Sequence, residues 1–147
     1  MELRRATGDD AREVVQSYTW LFAPPGRRPP VWDEQRAEDS VRRLVTSTDC
    51  TLYVALFEGR IVGFVTVYMD LDSVRFGRRA WIEDLAVHPD FRSRGIGKQL
   101  LDEAKRWGKS HGADYIELES GEGRVDAHRF YERERPLTRS KSYGWRF

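Results

Sequence analysis

AWIEDLAVHPDFRSRGIGKQLLDEAKRWGKSH, residues 80–111, decides how this chain is read. Trp81 to Val87 is apolar and β-branched enough for a mostly buried strand, with the acidic pair Glu83 and Asp84 inside it. His88-Pro89-Asp90 ends that strand, because proline has no N–H to give to a sheet ladder. From Ile96 onward, Ile96, Leu100, Leu101, Ala104 and Trp107 fall on one helical face. Gly112 is placed to close the helix, with Lys109 and His111 in a last turn whose dipole favours positive charge. Between strand and helix stands Arg92-Ser93-Arg94-Gly95-Ile96-Gly97-Lys98. A helix start carries unpaired N–H groups and about half a positive charge. Gly95 and Gly97 let a ligand approach bare backbone, and Arg92, Arg94 and Lys98 add formal charge. Taken alone, the turn fits either an anion site or a solvated connection. It is not a Walker P-loop, and Leu100 occupies the third glycine position of a dinucleotide fingerprint.

A second stretch makes the pattern specific. Val125-Asp126-Ala127-His128-Arg129-Phe130-Tyr131-Glu132-Arg133 has the Ala-x-x-Phe-Tyr form. With Arg92-x-x-Gly95-x-Gly97 after Ile-Glu-Asp-Leu-Ala-Val, it resembles the two signatures of the GNAT superfamily of N-acetyltransferases, in that family's order and spacing. The resemblance covers residues 50 to 134 well and the first fifty in outline. It implies that acetyl-CoA is the cosubstrate and that the turn from Arg92 through Ser93, Arg94, Gly95, Ile96 and Gly97 to Lys98 holds its pyrophosphate. It also implies that the backbone of Leu85, Ala86 and Val87 pairs with pantetheine and supplies the N–H facing the thioester oxygen. Two positions depart from the family pattern. Arg124 stands where the family has an asparagine and could reach a CoA phosphate or a backbone carbonyl. Arg135-Pro136 replaces the usual Gly-Phe, which alters how the helix ends and where the last strand runs.

The chain has 147 residues, which fits one domain with a real core. Lys+Arg 25 against Asp+Glu 24 gives a net charge of +1, so nothing in that balance points to nucleic acid. Cys50 is the single cysteine, which excludes an internal disulfide and fits a reducing compartment. No apolar run approaches the roughly 18 residues of a membrane span, and MELRRATGDD lacks a signal-peptide core. The expectation is a cytoplasmic, soluble protein without a membrane partner. No Cys/His cluster has zinc spacing and no Asp-rich loop suits calcium, so no metal is expected.

In chain order, Glu2–Ala6 reads as a strand. A helix follows from Thr7 or Asp9, with Ala11, Val14, Val15, Tyr18 and Leu21 or Phe22 on one face. Prolines 24, 25, 29 and 30 make 23–30 a loop. Asp33–Val45 reads as a second helix, and Thr51–Phe57 and Ile61–Leu71 as a hairpin. Ser73–Arg79 reads as a basic loop, Asp114–Glu119 as a strand, 124–133 as a short helix and Ser140–Phe147 as a last strand. This order gives an α/β (α+β) fold, a mixed sheet covered by helices. The family resemblance implies the same layout, mostly antiparallel. It adds a splay between two central parallel strands, 81–87 and 114–119, that leaves a cleft for pantetheine.

Acetyl transfer sets the chemistry. An alkylammonium with a pKa near 10.4 is neutral about once in 2,500 molecules at pH 7, and deprotonating it costs about 4.6 kcal/mol. A base is therefore useful, and Glu83, on the strand beside the acetyl position that the resemblance implies, is the first candidate. In a regular strand Asp84 would face the other way, so the two acids would not act together. Tyr131 matches the family tyrosine proposed to protonate the departing sulfur. The reaction expected is transfer to a primary amine, that of a small molecule, by direct attack in a ternary complex. Acetylation of a protein lysine or N-terminus and a non-catalytic acetyl-CoA sensor are the alternatives. A homodimer is the family-based expectation for assembly.

Overall fold

A computed structural model describes residues 1–147. Five strands form one sheet in the order β1-β2-β3-β4-β5: Glu2–Arg5, Cys50–Phe57, Arg60–Ser73, Gly77–Val87 and Tyr115–Glu117. The first four pair antiparallel, and β4 pairs with β5 parallel through the crossover helix α4, Ile96–Ser110. The other helices are α1 (Ala11–Ser17), α2 (Thr19–Phe22), α3 (Glu34–Thr46) and α5 (Val125–Arg133).

Both faces of the sheet are covered, which is why β2 is an unbroken apolar run rather than an alternating one. Its Leu52, Val54 and Leu56 join Val14 and Val15 of α1 and Val41 of α3 in one buried cluster. Tyr53 and Ala55, on the opposite face, join Ile96, Leu100, Leu101, Ala104 and Trp107 of α4 in the other. Glycines let α4 sit close. A Cβ on Gly63 would meet Leu100 Cδ1 at 3.0 Å, and one on Gly108 would meet the Ala80 Cβ at 3.0 Å. No helix is long and apolar enough to cross a membrane.

Four details differ from the sequence expectations. The first helix is broken: α1 ends at Ser17 and α2 restarts at Thr19. Ser17 Oγ donates to the Glu13 carbonyl at 2.8 Å and Thr19 Oγ1 to that of Gln16 at 2.9 Å, and such back-bonding competes with the helix ladder. The expected basic loop is mostly strand, since β4 begins at Gly77. Arg79 Nε donates to Asp70 Oδ2 at 2.7 Å, and its guanidinium lies 3.7 Å from Glu117, so it is held in internal ion pairs. Residues 140–147 form no strand. Arg135 takes a φ of 54°, Pro136 follows without a donor, and the tail leaves the sheet with Tyr143, Trp145 and Phe147 exposed.

The fourth difference shapes the site. Opposite β3, Thr66 pairs with Asp84 but Val67 pairs with Ile82, so Glu83 is an extra residue. This β-bulge breaks the alternation that would have put Glu83 and Asp84 on opposite faces.

Candidate active site

The site is built where β4 and β5 part. Their pairing lasts for three residues, Arg79↔Tyr115, Ala80↔Ile116 and Trp81↔Glu117. From Ile82 to Val87, β4 has β3 on one side and no strand on the other. That open edge leads from a cavity at its bulge to the glycine turn at its end. Leu85 and Val87 pack toward the α4 face and Ala86 is buried in the other cluster, so their side chains are core and their backbone is what the cleft meets.

At the turn, Ser93 and Gly95 take positive φ, 59° and 80°, and α4 begins at Ile96. The amides of Ser93, Arg94, Gly95, Ile96, Gly97 and Lys98 donate to no backbone carbonyl, and the first amide to re-enter the ladder is Gln99, to Gly95 at 3.1 Å. Six consecutive free N–H groups at the start of a fifteen-residue helix form a strong anion cradle. A Cβ on Gly97 would make only ordinary contacts, 3.5 Å to Phe130 Cζ and 3.7 Å to Val87 Cγ2. Internal packing therefore does not require this glycine, and its bare backbone leaves room for a ligand to approach the amides. These features fit the pyrophosphate of CoA. The basic side chains divide. Arg92 Nε donates to the Val87 carbonyl at 3.2 Å, Arg94 lies over the Phe91 ring at 5.0 Å, and Lys98 pairs with Asp102 at 2.8 Å and Glu134 at 3.4 Å.

At the bulge lies a cavity of about 350 Å³. Glu83, Asp84, Glu119, Arg124 and Tyr131 line it, so the bulge brings into one space two acids that a regular strand would separate. Tyr131 reaches it because Phe130, one residue earlier on α5, packs toward the α4 core. Burial, with Asp84 nearby, pushes the Tyr131 phenol up to about 12 despite the Arg124 charge, so it remains an O–H donor at neutral pH. Glu83 is raised by burial and by the neighbouring Asp84 and Glu119, and is held back by the Trp81 indole, which donates to it at 3.2 Å. Asp84 is also raised by burial, and the Tyr18 hydroxyl and Arg124 oppose that rise. Arg124 is anchored on this side of the cleft: its Nη2 donates to the Leu21 carbonyl at 2.9 Å. No cluster of three His, Cys, Asp or Glu side chains is arranged to hold a metal ion. His88 lies against the rings of Trp20 and Phe91 and accepts from the Asp90 amide.

Sequence reasoning missed Tyr18, placed there only on the apolar face of the first helix. At the α1–α2 break its Oη donates to Asp84 Oδ2 at 2.7 Å across 66 residues of chain. Burial beside the Asp84 carboxylate pushes its phenol well above its ordinary value. Nothing in the local sequence marks this contact, which needs both the helix break and the strand bulge.

Residues 12–135 match the family described as the acetyltransferase (GNAT) family. The uncharacterized N-acetyltransferase YhdJ of Bacillus subtilis (strain 168) is 34% identical over 108 residues, covering 69% of this chain and 76% of that protein. An aminoalkylphosphonate N-acetyltransferase of Salmonella typhimurium (strain LT2) is 31% identical over 133 residues, 90% of this chain and 82% of its own. Among solved structures, the aminoglycoside N-acetyltransferase AAC(6')-Iy in complex with CoA superposes with a TM-score of 0.85, covering 99% of this chain and 93% of that one; at 16% identity it speaks for the fold alone. The two signatures, the splayed sheet and these matches agree: the chain is an N-acetyltransferase of the GNAT family.

Proposed function

We propose that the chain moves the acetyl group of acetyl-CoA to the primary amine of a small molecule by direct attack in a ternary complex. The observation that carries this is one continuous path along the open β4 edge. It runs from six unpaired amides at Ser93–Lys98 to a cavity lined by Glu83, Asp84 and Tyr131. In this reading the amides hold the pyrophosphate, and the β4 backbone at Leu85–Val87 orients the thioester and faces its oxygen. Glu83 takes a proton from the acceptor ammonium, and its raised pKa makes it a stronger base than an ordinary carboxylate. The amine nitrogen then bonds to the carbonyl carbon and the carbon–sulfur bond breaks. Tyr131 donates its O–H to the departing sulfur, and the second amine proton replaces the one it gives. With the phenol near 12, donation of a hydrogen bond to developing charge matters more than complete transfer before bond cleavage.

The size of the cavity and the small-molecule acceptors named for relatives, an aminoalkylphosphonate and aminoglycosides, support a small amine over a protein chain. The test is thiol release from acetyl-CoA across amines, amino acids, aminoalkylphosphonates, aminoglycosides and lysine peptides. A small amine turned over with Tyr131→Phe at least ten-fold slower in kcat is the expected result. Turnover of peptides alone would contradict the acceptor class, and equal rates in the two proteins would remove Tyr131 from the mechanism.

A further inference from the structure

Arg124 stands where the family pattern has a neutral asparagine, at the N-cap of α5. Of the two partners its sequence position left open, a CoA phosphate or a backbone carbonyl, the structure supplies a carbonyl. Nη2 donates to the Leu21 oxygen of α2 at 2.9 Å, across 103 residues of chain. The seat is closely packed. A Cβ on Gly26 would lie 1.8 Å from that oxygen and 2.8 Å from Arg124 Nη2, so the proline loop closes over the contact only with a glycine there. The single side-chain hydrogen bond of Arg124 goes to a neutral group, so no carboxylate cancels its charge by contact. Arg124, Ala127 and Tyr131 all line the acid cavity, at spacings that put them on one face of α5. Ala127, between the other two, carries only a methyl group. Side chains on a helix lean toward its N-terminal end, which for Tyr131 is the Arg124 end. The other ionisable groups lining the cavity are Glu83 and Asp84 of β4, Glu119 beyond β5, Arg27 of the proline loop and Tyr18, whose O–H is given to Asp84. Arg27 is exposed, which leaves Arg124 the better shielded of the two cations, and it opposes the rise that burial and Asp84 impose on the Tyr131 phenol.

We propose that Arg124 is a positioning residue that acts through Tyr131: pinned to the Leu21 carbonyl, it holds a fixed cation where negative charge forms on the phenol oxygen. The inference rests on the acetyl-transfer reading above and adds one residue to it. As the carbon–sulfur bond breaks, its electron pair goes to sulfur and the Tyr131 proton moves toward it. The phenol oxygen gains negative charge and recovers a proton from the acylated nitrogen. A cation already in place stabilises that charge with no reorganisation at the moment of reaction. An asparagine at this position has no charge to offer, so the departure from the family pattern changes the electrostatics of the step and not only the shape of the cleft.

The test is a double-mutant cycle on the full chain, read by thiol release from acetyl-CoA with the amine turned over fastest in the panel above. Arg124→Gln keeps an N–H for the Leu21 carbonyl and loses the charge, whereas Arg124→Lys keeps the charge. Arg124→Gln should lower kcat by about ten-fold, and Arg124→Lys should recover most of it. Acetyl-CoA affinity, by calorimetry, should stay the same in all three proteins. In a Tyr131→Phe background, Arg124→Gln should lower kcat by less than about two-fold, because the group it acts through is gone. A second readout needs no acceptor. With 3-fluorotyrosine in place of tyrosine, the fluorine resonance lost in Tyr131→Phe reports this phenol. Its titration midpoint should rise by about half a pH unit or more in Arg124→Gln and stay in place in Arg124→Lys. An unchanged midpoint in a folded Arg124→Gln protein, or the same kcat loss with and without the Tyr131 hydroxyl, overturns the role. A loss confined to acetyl-CoA affinity overturns it in favour of a cofactor contact. Should Arg124→Gln not fold, Arg124→Lys decides: the role requires the wild-type midpoint and most of the wild-type kcat, and a shift of both overturns it. Wild-type kcat in Arg124→Gln beside a slowed Tyr131→Phe overturns the positioning role alone. Equal kcat in the wild type and Tyr131→Phe, or no amine turned over at all, overturns the reading on which the role rests.

Discussion

Tyr18→Phe isolates one of the long-range hydrogen bonds that tie the candidate site to the first helices. Phenylalanine keeps the ring, and so its packing 5.3 Å from Trp32 and 5.0 Å from Phe64, and removes only the O–H given to Asp84. A hydrogen bond to a charged acceptor is worth about 1.5–3 kcal/mol and a neutral one about 0.5–1.5 kcal/mol. The sign with pH follows from the direction of the Asp84 shift. Burial raises its folded pKa, so its ionisation weakens the fold as pH rises through the carboxylate range, and Tyr18 limits that loss. The variant should therefore lose about 1.5–3 kcal/mol at pH 8, where Asp84 is ionised, and less than about 1.5 kcal/mol at acid pH, where it is protonated. For a chain of this size the loss at pH 8 corresponds to roughly 3–12 °C in Tm. Urea unfolding of both proteins at pH 8 and at pH 4 measures it, and the same substitution in an Asp84→Asn background gives the pair energy. An identical loss at both pH values, or an undiminished loss in the Asp84→Asn background, would refute the assignment.

Asp10 should stabilise the start of the chain. Arg4 donates to it twice, at 2.8 and 2.9 Å, and the Thr7 amide donates at 2.7 Å. The Arg4 hydrogen bond leads the effects that bring its carboxyl down to about 2, so its contribution is present above 3.8 and is lost as pH falls toward 2. With Arg4 partly exposed, Asp10→Asn should cost about 1–2 kcal/mol in urea unfolding at pH 7. The gap should narrow below pH 4, and a gap constant with pH would count against the ion pair. Glu83→Gln should remove the acid limb of the kcat/KM profile, a limb lying above the ordinary carboxylate range because Glu83 is raised. An unchanged limb would assign the proton to another group, with Asp84 the next to test.

The two signatures were legible because each is a local pattern with a local physical cause. Ile96, Leu100, Leu101, Ala104 and Trp107 repeat at helical spacing, and with Gly108 they are the buried residues of α4. Val125–Arg133 likewise forms the helix that brings Tyr131 to the cavity. The early parting of β4 and β5 followed from the family resemblance rather than from spacing. What escaped depends on events that no short window records. The bulge at Glu83 arises from register against Thr66 and Val67, so alternation alone sent Asp84 to the wrong face. Tyr18 looked like one more apolar-face residue because its partner lies 66 positions away. In the tail, Tyr143, Trp145 and Phe147 alternate as a strand should, but Arg135-Pro136 turns the chain away from the sheet first. Alternation describes what a segment could pair with and does not supply the partner.

The central claim, that the turn from Arg92 to Lys98 receives acetyl-CoA, is tested most directly by calorimetric titration of acetyl-CoA into the wild type, Gly97→Ala and Gly97→Asp. Gly97 lies in the first turn of α4, where a methyl group meets only ordinary contacts, so Gly97→Ala should fold with unchanged or slightly higher Tm. Clear binding to the wild type is expected, with weaker binding to Gly97→Ala and at least a ten-fold loss with Gly97→Asp, which adds bulk and negative charge at the amides. Equal affinity in all three proteins, or no binding to the wild type, would contradict it.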